Sequence, residues 1–361
     1  MKKTMVCLGF TCILTASSAF AQDGLTFTLA NEIDMGSDCF SMGTLDDATD
    51  TIWALFEDCV ESNYYLRGIS IPDGTLVESD TFSEALIPLE DMYIVPETNP
   101  FAMVGDNLLE VRYTDFQTGE AFNLVLPEGA PPPNDTLLSQ VGIEAIVGSY
   151  SGYIESTVYN RNHTLAAVID LQEVYVIDLQ TASLLFQIPI TNPQYSVFPQ
   201  FSYDGTQLYY AEFLDPEDFT NWQASLQVFS IPDGALIETY EVPSAFFWMN
   251  NDGTRMVYKV DDLESHGGYI GVHDLITGET TEVLPVFEPP SRPPTCTNTG
   301  SPTDPTLDLM RTGSLFVRNV LWLSDGSGFY TLVTHNGAAI GGTSSYCMFD
   351  SSRLRLYTIG S

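Results

Sequence analysis

Residues 70–79 read SIPDGTLVES, and residues 230–239 read SIPDGALIET. Each phrase lies between two apolar runs, entered from Tyr65-Leu66-Arg67-Gly68-Ile69 in the first case and from Leu226-Gln227-Val228-Phe229 in the second. Proline presets φ and glycine supplies the positive φ of a tight bend, so Pro-Asp-Gly between β-prone runs marks a hairpin. Three relatives occupy the same place in the pattern: Asp115-Phe116-Gln117-Thr118-Gly119-Glu120, Asp178-Leu179-Gln180-Thr181-Ala182-Ser183 and Asp274-Leu275-Ile276-Thr277-Gly278-Glu279. A second turn family lies upstream of most of them: Phe201-Ser202-Tyr203-Asp204-Gly205, Met249-Asn250-Asn251-Asp252-Gly253 and Trp322-Leu323-Ser324-Asp325-Gly326. Tyr159-Asn160-Arg161-Asn162-His163 reads as a decayed copy, with Asn162 in the aspartate position and His163 in place of the glycine.

A β-prone run follows each member of the second family, at 165–169, 208–213, 256–260 and 329–333. The repeating unit is therefore four strands, a to d, with an Asp-Gly turn between a and b and a Pro-Asp-Gly or Thr-Gly turn between c and d. Asn162 to Asp204 is 42 residues and Asp204 to Asp252 is 48, the length of one four-stranded propeller blade. The run Phe201-Ser202-Tyr203-Asp204-Gly205-Thr206-Gln207-Leu208-Tyr209-Tyr210 resembles the Phe-Ser-Pro-Asp-Gly repeat of TolB-type β-propellers, with Tyr203 in the proline position. The resemblance covers three blades well and the others by pattern, and it implies a scaffold more than an activity. TolB carries an additional N-terminal α/β domain, for which this sequence leaves no room.

The expected architecture is all-β, a six-bladed propeller closed by an N-terminal strand. Blade one uses 39–45, 52–59, 64–71 and 76–82, and blade two runs from 86 to 126 with the most degenerate turns. Three blades then span about 143–190, 195–242 and 244–286, and the last begins near Phe316 and ends one strand short. The spare strand Leu25-Thr26-Phe27-Thr28-Leu29 would complete it and leave no large open sheet edge. Seven blades is the alternative, with the extra one inside 286–315, but seven prolines between Pro285 and Pro305 read as loop.

Lys2, Lys3, an apolar run over 5–14 and the small-x-small signal Ala19-Phe20-Ala21 mark residues 1–21 as a secretory signal peptide. That leaves 22–361 as a single propeller domain, periplasmic or secreted, without a transmembrane segment. Cys39, Cys59, Cys296 and Cys347 then remain, an even number in an oxidising compartment, which allows two disulfides in three pairings. The strand register selects Cys39 with Cys59 across one hairpin, and Cys296 with Cys347 across two loops of the last blade. By loop entropy the two links are worth about 3 and about 4 kcal/mol.

The chain carries 48 acidic residues against 12 basic ones, and Lys259 is the single lysine after the signal. Such a surface repels nucleic acid and anionic membrane alike. The apolar content, 44%, is ample for a core, so the acidity reads as solubility in a salty medium.

In a propeller the a–b and c–d turns share one face, while b–c loops and crossovers share the other. The long irregular segments 127–142, 214–224, 261–268, 287–315 and 334–352 all belong to the second face, where binding residues concentrate. Asp215, Glu217, Asp218 and Trp222 form one acidic and aromatic loop there, and Asp261, Asp262, Glu264 and His266 form its neighbour. Trp222 is expected to be exposed and so to serve as a contact residue. These carboxylates are calcium-type donors without EF-hand spacing, so no cofactor is assigned and calcium is the one candidate metal.

Catalytic patterns are missing. His163, His266, His273 and His335 give no His-x-x-x-His pair, and Gly148-Ser149-Tyr150-Ser151-Gly152 has tyrosine where a nucleophile elbow needs serine. No Walker A or Gly-x-Gly-x-x-Gly turn occurs. The expectation is an exported, monomeric, non-catalytic propeller that binds a protein, peptide or small ligand on its loop-rich face. The alternative is a calcium-dependent propeller hydrolase or lactonase with carboxylates at the channel mouth.

Overall fold

A computed structural model of the chain describes residues 25–36, 39–46, 50–58, 63–71, 75–77, 85–88, 101–104, 107–114, 121–125, 143–148, 154–170, 172–191, 199–215, 222–262, 267–283, 295–297, 314–341 and 345–360. In chain order, β1 (Thr26–Gly36) is followed by blade I, made of β2 (Cys39–Asp46), β3 (Thr51–Asp58), β4 (Asn63–Ser70) and β5 (Leu76–Val77), with β6 (Ala85–Pro88) also paired to β4. A three-stranded sheet of β7 (Phe101–Val104), β8 (Asn107–Thr114) and β9 (Ala121–Val125) comes next, then a short helix, α1 (Ile143–Val147).

Blade II holds β10 (Ile154–Tyr159), β11 (Leu165–Asp170), β12 (Glu173–Asp178) and β13 (Ser183–Pro189). Blade III holds β14 (Gln200–Phe201), β15 (Gln207–Phe213), β16 (Ala224–Ser230) and β17 (Leu236–Val242). Blade IV holds β18 (Phe247–Met249), β19 (Arg255–Asp262), β20 (Gly267–Asp274) and β21 (Thr280–Val283). After β22 (Thr295–Thr297), blade V is built from β23 (Ser314–Trp322), β24 (Gly328–Gly341) and β25 (Ser345–Gly360), with β1 as its outer strand.

Among the described residues the fold is an all-β propeller with five blades, which corrects both the expected six and the seven-bladed alternative. The miscount has a physical origin at residues 85–88. The repeat spacing makes Leu86 the start of a second blade, but Leu86 pairs with Tyr65, so β6 lies along blade I instead. Without that strand, β7 to β9 form a sheet one strand short of a blade. Closure by the N-terminal strand is as expected: β1 runs antiparallel to β25 from Thr26↔Gly360 to Gly36↔Ser352. Its start is also tied to blade IV, where the Thr281 hydroxyl donates to the Leu25 carbonyl.

Apolar clusters join the blades face to face. Blades II and III share Ile169, Val174, Phe201, Leu208 and Tyr210, and blades III and IV share Tyr209, Leu226, Met249 and Tyr258. Blades IV and V share Val257, Val272, Trp322 and Phe329, and blades V and I share Leu332, Leu354, Ile52 and Ile69. A sheet covered on both faces has no polar side, which explains why the second strand of blade II, LAAVID, is buried almost throughout instead of alternating. The outer strand β17 is mostly exposed, so its carboxylates are solvated and Leu236 and Ile237 face water.

The a–b turns follow one grammar. Asn250 accepts from the Thr254 and Arg255 amides, while Asp252 accepts from the Thr254 amide and hydroxyl. Asn160 and Asn162 make the same bonds in blade II, and Ser202 and Asp204 make close equivalents in blade III. The turn glycines Gly205, Gly253 and Gly326 have φ of 71°, 72° and 68°, and His163 holds the same backbone shape at 52°. The decayed copy in blade II is therefore a true turn of the family, with His163 buried and stacked on Tyr159 at 4.9 Å.

Candidate functional site

The two ends of the propeller differ in how they are built. At the turn end, each a–b turn touches the preceding blade: Gly205 lies against the Asn160 amide, Gly253 against the Tyr209 hydroxyl of β15 and Gly326 against the Asn250 amide. Arg161 also stacks over Tyr203 of the next blade, 4.2 Å from its ring centre. The aspartates there are committed to their own turns. Hydrogen bonds, led by the Thr206 amide, hold Asp204 below the usual carboxylate pKa, and bonds led by the Ser327 hydroxyl do so for Asp325. At Asp252 burial works against the charge, yet the Thr254 and Asn250 bonds outweigh it and the pKa is again lowered. These carboxylates are charged and satisfied, so they are turn structure and not a metal site.

At the opposite end the b–c ladders of blades III, IV and V finish at Phe213↔Ala224, Asp262↔Gly267 and Gly341↔Ser345. In blade III, the Leu214 amide donates to the Gln223 carbonyl at 2.9 Å and closes the neck of the 214–223 connection. Asp215 is exposed just beyond it, next to Leu214, which is 50% exposed. Trp222 is half-buried, which corrects the expectation of a freely exposed ring. It meets Phe213 edge-on at 5.9 Å and Phe246 at 6.0 Å, and Phe213 meets Phe246 at 5.7 Å. These three rings plug the interface between blades III and IV at this end.

In blade IV, Asp261 and Asp262 are the last pairs of the β19–β20 ladder, opposite Gly268 and Gly267. Glu217, Asp218, Glu264 and His266 lie outside the described residues. The described ends of the two candidate loops, at Leu214 and Trp222 and at Asp262 and Gly267, therefore belong to adjacent blades. Among the described residues, no group of three or more His, Cys, Asp or Glu side chains is placed to hold a metal ion. Nor, among them, is any helix long and apolar enough to cross a membrane.

The feature that sequence reading missed is in blade V. Residues 334–352 look like irregular loop in sequence, but β24 and β25 stay paired out to Gly341↔Ser345 and form a long hairpin arm. The three residues of β22 pair onto this arm, Cys296 standing opposite Cys347. At the other candidate link, Glu57 and not Cys59 is opposite Cys39, and Cys59 lies outside the described residues.

His273 is placed in a c strand, as expected, with Nδ1 2.7 Å from the Thr280 hydroxyl. Burial keeps its pKa below the usual histidine value despite the Asp274 charge beside it, so it is a neutral strand residue.

No protein-family model matches the chain, and no curated protein matches it. Among solved structures it is similar to Kuenenia stuttgartiensis hydrazine synthase, with a TM-score of 0.33 and 12% identity over 83% of this chain and 57% of that one. It is also similar to the Cps50 (Swd1) β-propeller domain of Myceliophteria thermophila, with a TM-score of 0.43 and 11% identity over 92% of this chain and 99% of that one. The chain spans 57% of the length of the hydrazine synthase chain it matches. Likenesses this distant leave the fold assignment resting on the strand order itself.

Proposed function

We propose that this chain is an exported, non-catalytic propeller of the TolB-repeat type that binds a cationic peptide or protein segment on its b–c face. The observation that carries the reading is the contrast between the two ends. One end is consumed by turns that satisfy their own polar groups and stack on the next blade. The other presents Asp215, the exposed Leu214 and the half-buried Trp222 ring cluster, and the β19–β20 ladder of the next blade ends in Asp261 and Asp262. An aromatic cluster on an acidic protein suits a positively charged partner, and a chain with 48 acidic residues would speed its arrival.

The test is calorimetric titration with a lysine-rich peptide, using a glutamate-rich peptide of equal length as control. Binding is expected for the basic peptide alone, to weaken steeply with salt, and to fall about tenfold when Asp215, Glu217 and Asp218 are changed to their amides. Equal binding by that variant would place the ligand elsewhere. The calcium-dependent hydrolase reading is tested separately: a stoichiometric metal in elemental analysis, with melting raised strongly by calcium, would replace the present proposal.

A further inference from the structure

The arm of blade V poses a packing problem. Its pairs from Gly337↔Phe349 to Gly341↔Ser345 lie beyond the end of β23, whose last partner is Asn336. A two-stranded ribbon is marginal in water, and among the described residues β22 is the strand that pairs onto it, with three pairs. Three pairs are too few to hold a segment that otherwise returns to a proline-rich stretch. Cys296 is the middle residue of those three, and its cross-strand partner is Cys347. Among the described strand pairs, this is the one place where two cysteines stand directly opposite each other. Opposed residues of an antiparallel pair have Cα atoms about 4.5 or 5.5 Å apart, depending on the pair type. Both values fall within the range a disulfide spans.

We propose that Cys296 and Cys347 form a disulfide that staples β22 to the arm and fixes a three-stranded extension on the b–c face. Two thiols lose two protons and two electrons and one S–S bond forms. The electrons pass to a disulfide oxidant, for which oxidised glutathione serves in vitro, and that oxidant leaves as two thiols. This does not depend on what the face binds.

The experiment is peptide mapping of the purified full chain under non-reducing conditions after exposure to oxidised glutathione, with free thiols alkylated. One cross-linked species containing Cys296 and Cys347 is expected, separating into two peptides on reduction. Thermal unfolding supplies the second readout. Reduction should lower the wild-type melting temperature, and C296S, C347S and the double variant should all melt alike, without further response to reductant. Cys296 and Cys347 both found alkylated after oxidation, a link from Cys296 to Cys39 or Cys59, or additive effects of the single variants would each overturn the proposal.

Discussion

At the residue scale, positive φ separates the c–d turns into relaxed and strained copies. Gly234 and Gly278 close the same five-residue bend, their amides donating to the carbonyls of Ser230 and Asp274 at 2.9 and 2.8 Å. Ala182 occupies the equivalent position in blade II at φ 50°, where a side chain costs energy that glycine avoids. Ala182→Gly is therefore expected to stabilise the protein by about 1 kcal/mol. Gly234→Ala should do the opposite and more, because its Cβ would stand 2.5 Å from Cγ of Phe186 in blade II in addition to the backbone strain at φ 66°. A loss of about 2–4 kcal/mol is expected there, against about 1 kcal/mol for Gly278→Ala, which has nothing within 4 Å. Urea unfolding of the three variants checks the order, and a Gly234→Ala no worse than Gly278→Ala would remove Phe186 from the explanation. Turn chemistry of this kind was fully legible in the sequence, because glycine, proline and aspartate declare a bend by local sterics alone. The Phe186 contact was not, since it joins residues of two different blades.

At the element scale, the a–b turn is a small pH-dependent device repeated around the ring. Asp204, Asp252 and Asp325 all have folded pKa values below 3.8, the ordinary value. A depressed carboxyl pKa means that the unfolded chain takes up protons first as the pH falls. The stabilisation is complete above the ordinary carboxylate range and drains away as the pH drops through the lower folded values. Blade II already uses Asn162 as the acceptor for the Thr164 amide and hydroxyl, so an amide can hold this turn without titrating. A D204N/D252N variant is thus expected to keep near wild-type stability at neutral pH while losing less of it between about pH 4 and pH 2. Denaturant midpoints at several pH values decide this, and parallel acid profiles for the two proteins would deny the turns their role.

The blade count shows where element-scale reading fails. Strands 165–169, 208–213, 256–260 and 329–333 could be placed because each follows such a turn. Residues 85–88 carry no turn signal that says which neighbour they join, and pairing with Tyr65 or with a later strand is decided by tertiary competition. The same limit hid the arm, whose pairing continues through residues that look like loop, and left the candidate acidic loops recognisable by composition without their geometry.

At the scale of the whole molecule, the ring depends on a strand donated from the far end of the chain. β1 covers β25, and Glu32 reaches from it to two buried arginines, accepting from Arg353 at 3.0 Å and from Arg355 at 2.6 Å. Removing residues 25–36 would uncover the ladder edge of β25 and take away this carboxylate. The open edge is a template for another strand, whereas the net charge of −36 opposes the approach of a second molecule. The balance between these effects turns on ionic strength. At low salt the truncated protein is expected to stay monomeric but melt well below the full-length chain. Near 1 M salt, where the screening length shrinks to about 3 Å, it should associate, while the full-length protein does not. A synthetic peptide of residues 26–36 should restore both melting temperature and monomeric elution by filling the vacant edge. Light scattering across a salt series measures the outcome. A truncated chain that melts like the intact one, or that associates equally at all salt concentrations, would show that β1 is an ornament on blade V and not its closing strand.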